Sequence, residues 1–167
     1  MIKALSLSQL NIVRFMFALL IMNFLAFAKI PLPYVPIVLI NTAFIFWGIY
    51  FGKKMGGLLA LGFLLEGVVL HLPIFAYASC GFLFFLSPTC GYVIGYVFSA
   101  YLAGYIFEKT SNLSYAFFIP SLVILSLGTL ILSLWIGIKT AFIVGFVPFI
   151  LPDLIKSLVF MKLHRSL

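Results

Sequence analysis

An all-α integral membrane protein of six transmembrane helices, forming a single domain over residues 1–167, is the fold class this sequence predicts. Three observations predict it. Of the 167 residues, 65% are hydrophobic and only 8% are charged, whereas soluble domains carry about 25% charged residues. Mean hydropathy is +1.32. The apolar residues are also gathered into runs long enough to cross a hydrocarbon core of about 30 Å at about 1.5 Å rise per helical residue.

Breaks at charged residues, proline and glycine divide the chain into six spans, near residues 10–29, 34–52, 55–72, 88–107, 115–137 and 141–162. The opening "MIKALSLSQLNIVRF" is polar enough for an interface. The apolar stretch after it lacks a small-residue cleavage site, so this segment reads as a retained first helix rather than a signal peptide. Between the third and fourth spans, "PIFAYASCGFLFFLSPTC" (73–90) is apolar but interrupted by Pro73, Gly81 and Pro88. It reads as a buried or re-entrant loop, because irregular backbone is tolerated at depth only against protein or a cavity. The fourth span carries Gly91, Gly95, Ser99 and Ala103 at i+4 spacing, a small-residue stripe for close helix contact. Ligand contact is expected at its outer end, from Thr89 and Tyr92. A weaker stripe, Ala18, Met22 and Ala26 on the first span, is a candidate face for a partner. In the sixth span Pro148 and Pro152 oppose a continuous helix. The last helix is expected to start at Pro152, which places Asp153 in its first turn, where the helix dipole favours a negative charge.

Basic residues give the orientation. An even number of spans puts Lys3, Arg14, Lys53, Lys54, Lys109, Lys162 and Arg165 on one side, and Lys29 and Lys139 on the other. By the positive-inside rule both termini are cytoplasmic. The proline- and aromatic-rich connections 30–36 and 73–90 then face outward, as suits a protein that captures something outside. The net charge of +7 does not point to nucleic acid, since no basic cluster exceeds the adjacent Lys53 and Lys54.

Asp153, the only aspartate, lies three residues before Lys156 in "VGFVPFILPDLIKSLVF". This i,i+3 spacing puts both on one helix face. Intramembrane ionisable residues are rare and mark functional sites by default; the plainer reading is an ion pair that neutralises itself. Counting about 18 Å back from Arg165 puts Asp153 in the outer half of the bilayer. Glu66 stays open between a pocket residue or proton carrier and a protonated carboxyl bonded to a neighbouring helix. His71 reads as an interfacial hydrogen-bonding group, and Cys80 and Cys90 as two free thiols. No metal site is expected from two Cys, two His and three carboxylates scattered along the chain. Neither a phosphate-binding GxxxxGK[ST] nor an HExxH occurs, so no catalytic residue is assigned. Uphill transport would need a partner or an ion gradient.

"PLPYVPIVL", "EGVVLHLPIFA", "SPTCGYVIGYVFSAYLAG" and "GFVPFILPDLIKSL" follow one another in the order and spacing of the BioY family. Those proteins are biotin-specific substrate-binding (S) components of energy-coupling-factor (ECF) transporters. The resemblance covers about residues 30–160. Its most specific patterns are P-T-x-G-Y-x-x-G and P-F-x-x-x-D-x-x-K. It implies six transmembrane helices with an outward pocket closed by the first and third loops, and biotin contacts from Asp153 and Lys156. It also implies a transmembrane coupling protein and two ABC-type ATPases as partners, with ATP used only by the latter. Three departures stand out. Val38 and Ile40 replace a polar pair of the first-loop pattern, with Asn41 and Thr42 beside them. The "EGxxGLPVF" pattern is one residue longer here and carries His71. No Arg or Lys lies between Lys54 and Lys109, which leaves Lys29, backbone amides or hydroxyls near 87–89 for the biotin carboxylate. Together Asp153, Lys156, Tyr92, Thr89, Asn41, Glu66 and Gly91 form the candidate ligand-binding set, with no cofactor. The rival functions are an S component for another vitamin or cofactor precursor and a small membrane enzyme using Glu66 or Asp153 as acid or base.

Overall fold

The computed structural model describes residues 7–30 and 34–166, which contain seven α-helices, one small antiparallel hairpin and two short 3₁₀ turns. The α-helices and strands run in the order α1 (Leu7–Leu25), β1 (Lys29–Ile30), β2 (Ile37–Val38), α2 (Ile40–Phe51), α3 (Lys53–Val69), α4 (Cys90–Thr110), α5 (Leu113–Ile136), α6 (Ile138–Gly145) and α7 (Val147–Ser166). Lys3, Pro31 and Pro33 lie outside the described residues, as does the side chain of Arg165.

Three helical stretches are long and apolar enough to cross a membrane: Cys90–Thr110, Leu113–Ile136 and Ile138–His164. Ile12–Leu25 and Ile40–Phe51 are shorter apolar helices. The outer surface is apolar as well, with Leu134 80% and Phe24 70% exposed. Contiguous apolar surface of this kind is not tolerated in water, and the chain is a membrane protein.

The second span differs from expectation. Lys29–Ile30 and Ile37–Val38 pair as an antiparallel hairpin, in register Lys29↔Val38 and Ile30↔Ile37, and the helix starts only at Ile40. Pro36 explains part of this: proline pushes its predecessor toward extended backbone and cannot supply a helical N–H. The last span also breaks elsewhere than expected. The interruption falls at Phe146, between α6 and α7, and Pro152 sits inside α7. Pro148 occupies the first turn of α7, where a missing N–H costs nothing; Pro152 forfeits one intrahelical bond and the helix continues. Asp153 is therefore not a first-turn residue, and the helix dipole does not account for its charge.

Close helix contact follows the small residues. α4 packs most extensively on α5: Gly91 lies against the Leu127 carbonyl and Ile131, Gly95 against Ile124, and Ser99 Oγ donates to the Pro120 carbonyl at 2.8 Å. The stripe Gly91, Gly95, Ser99, Ala103 is thus a packing face. Ala18, Met22 and Ala26 are buried in the protein's own core, with α1 packed on α2 and α3; they do not present a surface to a partner. The face α1 exposes is instead Ile12, Val13, Met16, Phe17, Leu20 and Phe24. Sharp reversals between helices use Gly52 (φ +81°) and Gly137 (φ +79°), where a side chain would be strained. Asn112 caps α5, accepting from the backbone N–H of Ser114 at 3.0 Å and of Tyr115 at 3.3 Å.

Candidate ligand-binding site

At the end of the molecule where α2 and α4 begin lies a small cavity of about 40 Å³. The hairpin contributes Lys29 and Val38 to its lining, α2 contributes Ile40 and Asn41, and the start of α4 contributes Thr89, Tyr92 and Tyr96. Phe63 of α3, Phe75 of the following loop and Phe149 of α7 are among the other lining residues. Larger grooves flank α1 and α3, but mainly outward apolar side chains line them, as expected for a lipid-facing surface. The hairpin-side cavity is the one where polar groups converge within an apolar wall.

Aromatic rings build its floor. Tyr96 stacks on Phe44 at 5.0 Å between centroids, Phe44 meets Phe63 edge-on at 5.3 Å, and Phe63 meets Phe75 at 6.0 Å. Phe75 in turn stacks on Phe84 at 3.9 Å. This ladder ties the loop between α3 and α4 to the helices. The loop contains two short 3₁₀ turns, Ala76–Ala78 and Phe82–Leu86. Ile74, Phe75 and Phe84 are buried, whereas Phe82 and Leu83 are exposed. Phe75 occupies the space a Cβ on Gly67 would take, and the Gly81 N–H donates to the Gly67 carbonyl at 2.8 Å.

Tyr92 is fixed in the same way. Its ring lies where a Cβ on Gly128 would stand, and its hydroxyl donates to the Gly145 carbonyl, the end of α6, at 2.7 Å. One side chain of α4 therefore braces α5 and α6 at the cavity wall. Asn41 is 3% exposed, and its Oδ1 has no hydrogen-bond partner among the described residues. A buried unpaired amide oxygen is costly, so Asn41 is a strong candidate to meet a ligand donor.

Asp153 and Lys156 form an ion pair whose side chains are only 4% and 13% exposed. Ser121 Oγ donates to Asp153 Oδ2 at 3.4 Å, and Lys156 Nζ donates to the Val38 carbonyl at 2.8 Å. The pair stands immediately behind the lining, joined to it through Val38. Gly91 is in the α4–α5 contact and not in the lining. Glu66 is also away from the cavity, accepting from Asn23 Nδ2 at 2.8 Å across the α1–α3 contact. Of the candidate set, Asn41, Thr89 and Tyr92 come together in the wall, with Asp153 and Lys156 one contact deeper.

The BioY family model matches residues 1–167. The chain belongs to the BioY family. It is 37% identical over 141 residues to the biotin transporter BioY of Thermotoga maritima, covering 80% of this chain and 81% of that one. It is 35% identical over 123 residues to the probable biotin transporter BioY of Pyrococcus horikoshii, covering 74% of each. Among solved structures it resembles the S-component for biotin from an ECF-type ABC transporter, solved at 2.1 Å. The TM-score is 0.83 at 26% identity, over 98% of this chain and 94% of that one.

Within this BioY-family cavity, sequence reasoning missed Tyr96 and Phe149. Tyr96 lies one helical turn after Tyr92, a spacing that could have identified it. Ser121 carried no such signal, since its link to Asp153 spans 32 positions. His71 is exposed and bonded through Nδ1 to the Val69 carbonyl at 3.1 Å. Cys80 and Cys90 are free thiols. Among the described residues no three His, Cys, Asp or Glu gather as metal ligands.

Proposed function

We propose that this chain is the biotin-binding S component of an ECF transporter. In this reading it is a single domain in the cytoplasmic membrane, with both termini cytoplasmic and the cavity facing outward. Its six spans are α1, α2, α3, α4, α5 and the combined unit of α6 and α7. The observation that carries the reading is the likeness, over nearly the whole chain, to a solved S-component for biotin; relatives named as biotin transporters support it.

The site chemistry suits this ligand. The ureido ring of biotin offers two N–H donors and one carbonyl, which match a carboxylate or amide-oxygen acceptor and an ammonium donor. Asn41 and Asp153 supply acceptors and Lys156 the donor. On entry, the biotin carbonyl takes over the Lys156 bond now made to the Val38 carbonyl. The ring carbons of biotin lie against Tyr96, Phe63 and Phe75, with Thr89 and Tyr92 at the rim. Binding is not catalysis, and the chain is a transporter subunit rather than an enzyme. In this reading energy comes from partners, a membrane coupling protein and two ABC-type ATPases, which the likeness to an S-component of an ECF-type ABC transporter supports.

One observation favours a second ligand class. Val38 and Ile40, both in the lining, are apolar where the family pattern is often polar, which suits another vitamin or cofactor precursor. Equilibrium binding of labelled biotin to the detergent-purified chain, with other vitamins as competitors, tests both readings. Saturable binding displaced only by biotin is expected. No binding at micromolar biotin would overturn the leading reading, and displacement by a different vitamin would favour the second.

A further inference from the structure

The chain has three carboxylates, and each is already engaged. Asp153 pairs with Lys156, Glu108 with Lys53, and Glu66 accepts from Asn23. Lys29 is the only charged side chain in the cavity lining, and among the described residues it has no ion-pair partner. It is half-buried on β1, held by the hairpin pairing opposite Val38. A lone cation at the edge of an apolar cavity concentrates anions there, because low surrounding dielectric weakens screening. Lys156 cannot play that part equally well. Its charge is offset by the adjacent Asp153, so an anion placed beside the pair meets both signs.

We propose that Lys29 is the counter-ion for the ligand's carboxylate and the residue by which this site selects an anionic ligand. The assignment rests on the biotin reading and deepens it by fixing an orientation. The carboxylate tail of biotin points toward the hairpin, and its ureido ring toward Asn41 and the Asp153–Lys156 pair. The donor-bearing end of the ligand thus meets the acceptors, and the anionic end meets the unpaired cation.

Biotin and its uncharged methyl ester separate these contributions when binding of each is measured on the purified chain. The wild-type chain is expected to bind the ester about 10- to 100-fold more weakly, the loss associated with one charge-assisted hydrogen bond. Lys29→Met should weaken biotin by that same factor and leave the ester unchanged. Lys29→Arg should retain the preference, as should Lys139→Met, which removes an exposed lysine outside the cavity. Equal wild-type affinity for both compounds would overturn the assignment. So would a Lys29→Met chain that still prefers biotin, or one that loses both compounds alike while Lys29→Arg also loses both. A wild-type chain that binds neither compound would instead sink the biotin reading itself, and Lys29 with it.

Discussion

Among the described residues two lysine–carboxylate pairs are built into this chain, one within α7 and one where α2 turns into α3, and their surroundings give them different work. Lys156 and Asp153 are 13% and 4% exposed, with a serine hydroxyl on one side and a backbone carbonyl on the other. Lys53 and Glu108 meet at 2.8 Å with 31% and 42% exposure, where α2 turns into α3 and α4 ends. Lys53 also sits 5.5 Å from the Tyr105 ring centroid. The charges are the same; the cost of separating them is not. In the buried pair each ion has lost water that its partner replaces, helped by Ser121 and the Val38 carbonyl. In the exposed pair, water takes over when a partner is removed.

The largest expected effect comes from breaking the buried pair on one side. Asp153→Asn or Lys156→Met leaves the other charge desolvated and should destabilise the fold by about 3–5 kcal/mol, read as a lower unfolding midpoint in detergent. The double change Asp153→Leu with Lys156→Met removes both charges and should restore much of that stability. Biotin binding should be lost in all three. A stable, fully binding single variant would show that the pair does neither job. Recovery of stability without recovery of binding would separate the two roles.

The same pair shows what sequence could and could not supply. Two charges three residues apart in an apolar stretch pointed to a membrane site, because an i,i+3 spacing and the expense of intramembrane charge are local facts. The hydrophobic runs likewise reported the helical membrane class, and the Gly91–Ala103 stripe its packing face. What stabilises Asp153 was not local. A first-turn dipole was expected from Pro152, yet α7 starts at Val147 and Ser121 approaches from α5. The inward turn of Ala18, Met22 and Ala26 was equally hidden, since a small-residue stripe carries no mark of which neighbour it meets. Glu66 found its partner in Asn23, 43 positions earlier, and that distance lies beyond any sequence spacing rule.

An intermediate effect is expected where no charge is involved. Tyr92 holds its place because Gly128 has no side chain, so Gly128→Ala forces the ring off α5 and disturbs its bond to the Gly145 carbonyl. Overpacking of this kind costs about 1–3 kcal/mol. Tyr92→Phe, which keeps the ring and removes only the hydroxyl, should cost about 1 kcal/mol. Binding should suffer more in Gly128→Ala than in Tyr92→Phe, because the first moves the cavity wall and the second does not. Identical binding losses in the two variants would mean that the hydroxyl, rather than ring placement, is what the site uses.

The smallest effect belongs to the exposed pair and completes the contrast. Lys53→Met removes a charge that touches Glu108 and the Tyr105 face, but Glu108 retains access to water and its carboxylate can be solvated where it stands. Glu108 also accepts from the Lys53 backbone N–H at 3.1 Å, a contact that any residue at position 53 other than proline can make. Neither biotin affinity nor the unfolding midpoint should change measurably, and both should be equally insensitive to added salt in wild type and variant. The outcome that would break the comparison is a loss approaching that of Lys156→Met. It would mean that the turn between α2 and α3 depends on the ion pair itself, and that exposure alone is a poor guide to which of the two pairs holds this protein together.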